Sequence, residues 1–346
     1  MKNNSTIQKE SASLWLKKLK EADFSALGLS PYHLNYLNRL QAILPHYFSI
    51  YEKCFSILFQ NLSETEIQKI CKQAYIVDYG GGCGFLSLYA RAVVGIDSII
   101  YVDMNENSVA LTAQIFDYFS LNKPILILGD QKKLAHYCKE NSIHLHYLVS
   151  TDVIEHIYNL DLFFADIQET FPNLSMVFST GSNPYNSHIR KKLEAYMIED
   201  ELKGTDTSSA FLAQRKKYIE THFNLSSYET LQLAICTRGL IFPEVHAAVL
   251  KYQESTQFPL ENSNAYECCD PNTGSWTERI LPLKEYKNIL KKHAFEVRFV
   301  RGYYAEERTL PLKSLFFKFL NFCIRCSGPL GFLIAPYMYL KINIKK

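Results

Sequence analysis

Glycine occupies four of the five positions from residue 80 to residue 84. The preceding residues 75–77 are aromatic or β-branched, which predicts a short buried strand. Residues 85–91 have apolar side chains at helical spacing. A glycine turn between a strand and a helix leaves backbone N–H groups and the helix N-terminus open to a ligand. The sequence therefore predicts a ligand-binding strand–turn–helix unit over residues 75–90.

The spacing within this turn separates several nucleotide-binding patterns. An acidic residue and three of the glycines follow the order D-x-G-x-G-x-G, at Asp78, Gly80, Gly82 and Gly84. Phe85 stands where a dinucleotide fingerprint requires its last glycine, and this disfavours a nicotinamide dehydrogenase. No Gly-Lys-Ser/Thr follows the turn, and this excludes a P-loop. The pattern resembles the first motif of class I S-adenosylmethionine-dependent methyltransferases. The resemblance implies that the glycines wrap the amino-acid end of this cofactor and that the Asp78 carboxylate neutralises its ammonium.

Acidic residues also follow the next two predicted strands. Residues 98–102 form the second strand, and Asp103 ends it about 20 residues beyond the glycines, where a carboxylate can accept hydrogen bonds from both ribose hydroxyls. The resemblance places Met104, the next residue, in the same cofactor site. Asp130 follows a third strand at 124–128, and the resemblance assigns it to the adenine amino group. A simple turn residue is an equally good interpretation of Asp130.

A fourth strand at 144–149 leads into the run Asp152-Val-Ile-Glu155-His156-Ile. This run resembles the signature of the subfamily of ubiquinone-biosynthesis and small-molecule O-methyltransferases, in which it lies beside the reactive end of the cofactor. The resemblance assigns Asp152 to the cofactor site. His156 is the candidate general base because its ordinary pKa is near neutrality, and Glu155 is its candidate partner. The alternative is that Glu155 and His156 only pack and hydrogen-bond before the next helix.

The same three side chains also suggest a metal site. Asp152, Glu155 and His156 are spaced i, i+3 and i+4, so a helical turn would place all three on one side with donors suited to a divalent ion. Small-RNA 2′-O-methyltransferases have a similar set with one more histidine. Here Asp152 replaces a Glu, and only His188 and His246 are available as the further histidine. We expect a site without metal and keep the metal-assisted RNA 2′-O-methyltransferase as an alternative.

Strands and helices alternate up to a fifth strand at 175–180. The pattern is then helical for about a hundred residues. A last helix at 283–293 and strands at 295–300 and 337–344 follow. With the resemblance, this predicts an α/β fold with a Rossmann-like, doubly wound, seven-stranded methyltransferase sheet. Residues 1–70 form a helical N-terminal cap, 71–180 and 283–346 the S-adenosylmethionine-binding core, and 181–282 a helical lid or acceptor-binding insertion. The alternative for the insertion is a dimerisation surface, so the chain is expected to be a monomer or a homodimer.

Local signals divide the N-terminal region. Residues 1–12 are polar and are expected to fray. A helix is expected to start at Ser30-Pro31, and Pro45 is placed to end or kink it. Ser63 and Glu66 form a capping box for the next helix.

Composition and charge restrict the partners and the compartment. A net charge of +2, from 37 basic and 35 acidic residues, gives no bulk electrostatic reason to expect nucleic acid. Nine scattered cysteines and no visible secretory signal favour the reducing cytoplasm. Cys323 and Cys326 are interpreted as core cysteines of a helix rather than zinc ligands.

No transmembrane segment is expected, because Lys318 and Arg325 interrupt the most apolar region. The apolar helix at 313–325 is compatible with peripheral membrane contact, with core packing as the alternative.

These observations predict an S-adenosylmethionine-dependent methyltransferase of a small or medium-sized acceptor, with O-methylation favoured. A cofactor-binding interaction module that has lost catalysis is the alternative of a different class.

Overall fold

The structure is a computed structural model and describes residues 4–29, 31–205, 208–259, 266–305 and 311–345. Seven of its strands form one sheet in the order β3-β2-β1-β4-β5-β9-β8, and the other two, β6 and β7, form a short hairpin. The strands are β1 Tyr75–Tyr79, β2 Ser98–Asp103, β3 Ile125–Leu128, β4 Leu145–Thr151, β5 Ser175–Thr180, β6 Gly204–Thr205, β7 Ser208–Ser209, β8 Phe295–Arg301 and β9 Met338–Ile344.

The first five strands are parallel to one another, and β9 is antiparallel to both β5 and β8. Val77 pairs with Ile100 and Tyr79 with Val102, so β1 and β2 are direct neighbours. The predicted doubly wound, seven-stranded sheet is confirmed.

Helices cover both faces of the sheet. They are α1 Asn4–Glu21, α2 Pro31–Leu58, α3 Glu64–Gln73, α4 Phe85–Tyr89, α5 Glu106–Tyr118, α6 Gln131–Glu140, α7 Leu160–Thr170, α8 Ser187–Leu202, α9 Phe211–His222, α10 Ser227–Cys236, α11 Phe242–Ser255, α12 Leu283–Lys292 and α13 Pro311–Cys326. One core lies between the sheet and α1, α2, α4 and α5, and a second core lies between the sheet and α6, α7 and α12. The central strands are apolar on both faces because both faces are covered.

Helix α1 packs the N-terminal region against the first core. Helix α1 begins at Asn4, and the fraying expected of residues 1–12 stays a prediction. Its apolar side is held in the first core, where Leu19 is fully buried, and the Ser11 hydroxyl donates to the Ala92 carbonyl at 2.9 Å. The capping box of Ser63 and Glu66 at the start of α3 is confirmed.

Pro45 does not end α2, which continues to Leu58. Leu44 and Phe48 on either side of the proline are buried in the first core, and this burial outweighs the loss of one helical hydrogen bond. The predicted cap residue Ser30 lies outside the described residues, and Pro31 is the first residue of α2.

In its described residues, the insertion between β5 and α12 contains four helices, α8 to α11, in agreement with its helical sequence pattern. Helices α9, α10 and α11 enclose a small core around Ile219, Leu233 and Val249. Arg215 of α9 is fully buried and pairs with Glu201 of α8 through both guanidinium NH₂ groups. On α10, Leu233 is buried within the insertion itself, whereas Leu231 is 39% exposed.

Candidate functional site

The carboxyl ends of β1, β2, β4 and β5 meet at one edge of the sheet, which is where ligands bind in open α/β folds. The glycine turn connects β1 to α4 at this edge. Its first residue, Gly80, donates its N–H to the carbonyl of Val102 on β2 at 2.7 Å. Gly84 donates to the Gly81 carbonyl at 2.9 Å, which closes the turn. The turn is thus fixed to the end of the neighbouring strand.

Gly82 is the point at which this turn is open. It has a φ of +54°, in the left-handed region that favours glycine. The nearest atom to a Cβ built on it is the Tyr36 hydroxyl oxygen of α2, at 3.6 Å. At Gly84, by contrast, a Cβ would lie 2.5 Å from the side chain of Thr112. Of these two predicted cofactor-binding glycines, Gly84 permits close packing of the turn, and Gly82 leaves the space where a Cβ would lie open. The N–H and the carbonyl of Gly82 are themselves hydrogen-bonded within the protein.

Asp78 lies almost completely buried beneath the turn, with 3% of its surface exposed. Its Oδ2 accepts a hydrogen bond of 2.6 Å from the Ser87 hydroxyl of α4. Its Oδ1 is buried without a hydrogen-bond partner among the described residues. Burial raises the pKa of this carboxyl to about 7. Asp78 therefore holds α4 against the turn with one oxygen and has the other available for a hydrogen-bond donor.

Asp103 at the end of β2 connects this strand to the turn. Its Oδ2 accepts the Gly82 N–H at 2.9 Å, and its Oδ1 accepts the Asn105 N–H at 2.8 Å. Burial raises its pKa, and the hydrogen bonds from these backbone groups oppose the rise. The structure thus brings Asp103 to the open glycine, as the sequence spacing indicated. Met104 follows directly and is 70% exposed.

Asp130 occupies the N-cap position of α6. Its Oδ1 accepts hydrogen bonds from the backbone N–H groups of Lys132 and Lys133 at 3.0 and 3.1 Å. This cap explains the presence of an aspartate without a ligand. The interpretation of Asp130 as a turn residue has direct structural support, and a contact with adenine stays a prediction.

The segment that follows β4 has an irregular backbone. Asp152 has a φ of +54°, and its N–H donates to the Ser179 carbonyl of β5 at 3.0 Å. Because of this left-handed residue, Asp152, Glu155 and His156 do not lie on a continuous helical turn, which removes the geometric premise of the metal site. Within the described ranges no group of three His, Cys, Asp or Glu side chains is arranged to hold a metal ion.

Glu155 is buried, with 2% of its surface exposed, and its Oε1 accepts the Thr180 hydroxyl at 2.7 Å and the Gly181 N–H at 3.3 Å. Its Oε2 has no partner in the described part of the chain. Burial, together with the negative charge of Asp152, raises the pKa of Glu155 to about 8. Burial also raises the pKa of Asp152, to about 6.

His156 is oriented by a carbonyl group. Its Nδ1 lies 2.8 Å from the Trp276 carbonyl oxygen. A carbonyl oxygen only accepts, so Nδ1 must have the hydrogen, and Nε2 is the nitrogen available to a substrate. Burial lowers the pKa of the imidazole, but the charges of Glu155 and Glu278 outweigh it, and the net shift is upward.

Glu278 completes a cluster of three carboxylates around His156 and was not identified from the sequence. Burial raises its pKa, and it accepts the Ser182 hydroxyl just after β5. It belongs to the end of the insertion, where the Trp276 N–H also donates to the His156 carbonyl at 3.2 Å. Residues 276–278 thus form a wall of the site although they lie more than 110 positions beyond His156 in the chain. Of the residues that the sequence did not identify, Ser182 alone lies close to a predicted element, because it is two residues beyond the end of the fifth strand at 175–180.

A cavity of about 430 Å³ borders His156 on the side of the insertion. Its volume lies within the range of small-molecule sites. Seven of its ten lining residues have polar side chains, namely His156, Asp200, Ser208, Ser209, Asp270, Ser275 and Thr277, and the others are Gly204, Phe211 and Trp276. This arrangement places an imidazole beside a space with many hydroxyl and carboxylate groups.

Helix α2 reaches the same region from the opposite end of the chain. The hydroxyl of Tyr36 faces Gly82. Burial raises the pKa of Tyr47, with further upward contributions from Asp152 and Cys83, which places this tyrosine among the acidic groups of the site. The N-terminal helices therefore border both the glycine turn and the carboxylate cluster.

Comparisons with known proteins were made at three levels. No family model matches the sequence, and no curated protein matches it. Among solved structures, the chain aligns with a protein from Galdieria sulphuraria assigned as a sarcosine dimethylglycine methyltransferase, at 11% identity, over 86% of this chain and 85% of that chain, with a TM-score of 0.40. It also aligns with PKMT2 from Rickettsia typhi in complex with AdoHcy, at 12% identity, over 86% of this chain and 53% of that chain, with a TM-score of 0.39.

The methyltransferase domain of bacterial CtHen1-C aligns at 11% identity, over 86% of this chain and 98% of that chain, again with a TM-score of 0.39. Likeness at this level does not determine an activity or a substrate. The order and direction of the seven strands are those of the class I S-adenosylmethionine-dependent methyltransferase fold, and the fold follows from that topology.

Proposed function

We propose that the protein is an S-adenosylmethionine-dependent methyltransferase that acts on a small or medium-sized acceptor, with O-methylation favoured. The proposal rests on the open space in front of Gly82, between Asp78 and Asp103, at the carboxyl ends of two adjacent parallel strands. A dinucleotide would need a further glycine at Phe85, which is instead buried in the core.

The donors and acceptors of the turn match the chemical groups of the cofactor. The buried Oδ1 of Asp78 has no partner among the described residues and is a suitable acceptor for the ammonium of the methionine part. Asp103 is held by two backbone N–H groups and would accept the ribose hydroxyls. Met104 and Asp130 are assigned to the adenine, and Asp152 to the methionine end of the site. The residues present therefore fit S-adenosylmethionine.

When bound, S-adenosylmethionine supplies an electrophilic methyl group on a sulfonium sulfur. The contribution of the chain is to orient the acceptor, to exclude water and to remove a proton where the acceptor has one. His156 can accept this proton at Nε2, because its Nδ1–H is directed at the Trp276 carbonyl. Glu155 and Glu278 stabilise the imidazolium that results, which is why both raise the pKa of His156.

The polar cavity beside His156 is the proposed acceptor site. The hydroxyl and carboxylate groups of its lining favour an acceptor with polar groups. A hydroxyl of the acceptor next to the imidazole of His156 would lose its proton to this base, which favours O-methylation. The helical cap at 1–70 and the insertion at 181–282 would enclose this acceptor, because Tyr36 and Trp276 approach the site from these two segments.

Calorimetry with S-adenosylhomocysteine tests the cofactor site. We expect micromolar binding, and we expect Asp103→Asn to lower the affinity by about tenfold or more, because one hydrogen bond to a charged acceptor is lost. Asp117→Asn is the control: Asp117 pairs with Lys123 on the surface at 2.7 Å, and its loss should leave binding unchanged. Tight binding of NADH with no binding of S-adenosylhomocysteine would overturn the proposal.

A screen with labelled methyl groups against small-molecule pools then separates an enzyme from a binding module. We expect the rate of methyl transfer to fall by about 10²- to 10⁴-fold in His156→Gln, with unchanged affinity for S-adenosylhomocysteine. This result would support His156 as the base. His136→Gln is the matched control, because His136 is an exposed histidine of α6. Binding of the cofactor product without transfer to any acceptor would favour the catalytically inactive interaction module.

A further inference from the structure

Helix α13 presents large apolar side chains to solvent. Leu315, Phe319 and Phe322 follow the spacing i, i+4 and i+7, so they share one face of the helix. They are 68%, 61% and 61% exposed. Phe316 next to them is 56% exposed, and the 3₁₀ segment that follows, Gly328–Leu333, adds the exposed Leu330. A contiguous apolar surface of this kind marks a binding surface rather than an ordinary exterior.

The orientation of the helix is fixed by its opposite side. Asn321 is buried, and its side chain accepts from the Tyr304 N–H and donates to the Tyr304 carbonyl, both at 2.8 Å. Ile324 is fully buried, and the Arg301 guanidinium donates to its carbonyl oxygen at 2.6 Å. The exposure of the phenylalanines is therefore a consequence of how α13 is attached, because turning them inward would break these bonds.

Charge distinguishes this part of the chain from the rest. The whole sequence is nearly balanced, with 37 basic and 35 acidic residues, but residues 308–346 contain no Asp or Glu. The basic residues of that stretch are Arg308, Lys313, Lys318, Arg325, Lys341, Lys345 and Lys346. Lys318 is exposed, and it lies next to Leu315 and Phe322 on the helix surface. Arg325 lies one turn beyond Phe322, with its guanidinium 5.9 Å from the centre of the Tyr303 ring.

We propose that this face of α13 docks onto an anionic membrane surface. An apolar arc bordered by basic side chains is the arrangement of a helix that lies in the plane of a bilayer interface, where the apolar groups enter the acyl boundary and the cations contact lipid phosphates. No helix within the described residues is long and apolar enough to cross a bilayer. A second copy of the chain is a poorer occupant, because a symmetric contact would place two copies of the same basic face against each other.

The docking face is attached to the edge of the sheet at which the candidate site lies. Asn183 follows β5 and donates through its side-chain amide to the carbonyls of Phe332 and Ala335, at 2.8 and 2.9 Å. Its neighbour Ser182 donates to Glu278 of the carboxylate cluster. Membrane docking would therefore bring the proposed acceptor site close to the bilayer surface.

Sedimentation of the full chain with vesicles tests the proposal. We expect binding to vesicles of phosphatidylcholine mixed with phosphatidylglycerol and weaker binding to phosphatidylcholine alone. The double variant Phe319→Gln/Phe322→Gln should lower partitioning by at least about tenfold, because two aromatic side chains no longer enter the apolar boundary. Lys318→Glu should reduce the binding to anionic vesicles only.

The control is Leu202→Gln/Leu250→Gln, which changes two apolar residues of the insertion that are 59% and 46% exposed. This variant should bind vesicles like the wild type. Equal loss in both double variants, or no binding of the wild type to either vesicle, would overturn the proposal. A wild-type dimer that dissociates in the phenylalanine variant would instead identify the face as a contact between copies. Calorimetry with S-adenosylhomocysteine should be unchanged in every variant, so failure of this proposal and failure of the proposed function are distinguishable.

Discussion

Replacement of Gly82 by alanine separates binding from folding at the glycine turn. The backbone at this position has a φ of +54°, which costs a residue with a Cβ about 1 kcal/mol. No steric penalty is added, because the nearest atom to the new Cβ is the Tyr36 hydroxyl oxygen at 3.6 Å. We therefore expect Gly82→Ala to fold and to lose about 1 kcal/mol of stability, a fall in melting temperature of less than about 4 °C.

The effect of this methyl group on binding should be larger. It fills the space in front of the turn, and a ligand in contact with the backbone would have to move outward and give up its closest contacts. We expect the affinity for S-adenosylhomocysteine, measured by calorimetry, to fall at least tenfold, which corresponds to about 1.4 kcal/mol.

Gly95→Ala is the matched control for this experiment. Gly95 has a φ of +83°, and a Cβ there meets no atom within 4 Å, so the alanine has comparable backbone strain and free space. It precedes β2 and therefore lies at the opposite end of that strand from Asp103. Gly95→Ala should lose similar stability and keep its affinity. Wild-type affinity in Gly82→Ala, or an equal loss in both variants, would refute the assignment of the turn as the cofactor site.

Three further predictions concern buried charge. Glu201→Gln should lower stability in chemical denaturation by about 3–5 kcal/mol, because it leaves the fully buried Arg215 without its counter-charge, and a change below about 1 kcal/mol would contradict this. The affinity for S-adenosylhomocysteine should rise from pH 6 to pH 8, because Asp78, whose pKa is about 7, ionises and attracts the ligand ammonium. The rise should vanish in Asp78→Asn. A rise that persists in this variant would show that another group is responsible for it. The pKa of Glu155 is raised from 4.5 to about 8 in the folded state, so its stability contribution is lost as pH increases from 4.5 through 8. Thermal melts at pH 6 and pH 9 should accordingly differ less in Glu155→Gln than in the wild type, and an equal difference would argue against the raised pKa.

Much of the sheet could be predicted because its signals are local. β5 occupies the predicted residues, and β2 ends at Asp103 as expected, since each is a short apolar run bounded by turn residues. The sequence could predict that Asp103 lies close to the glycine turn, because a strand–helix–strand unit has a nearly constant length. Local signals left open whether Pro45 ends or kinks its helix, and packing decided that α2 continues through the proline, because the residues around it are buried in the core.

The sequence by itself determined the alternation of strands and helices, the open glycine turn and the acidic residues at the ends of the strands, because each depends on neighbours within about 30 positions. The tertiary structure decided which groups surround His156. Glu278 and the Trp276 carbonyl arrive through an insertion of about a hundred residues, and the fold of that insertion depends on non-local packing such as the pair of Arg215 and Glu201. It also decided that Asp152 adopts a left-handed conformation, which a spacing of i, i+3 and i+4 does not reveal and because of which the three side chains do not share one helical turn.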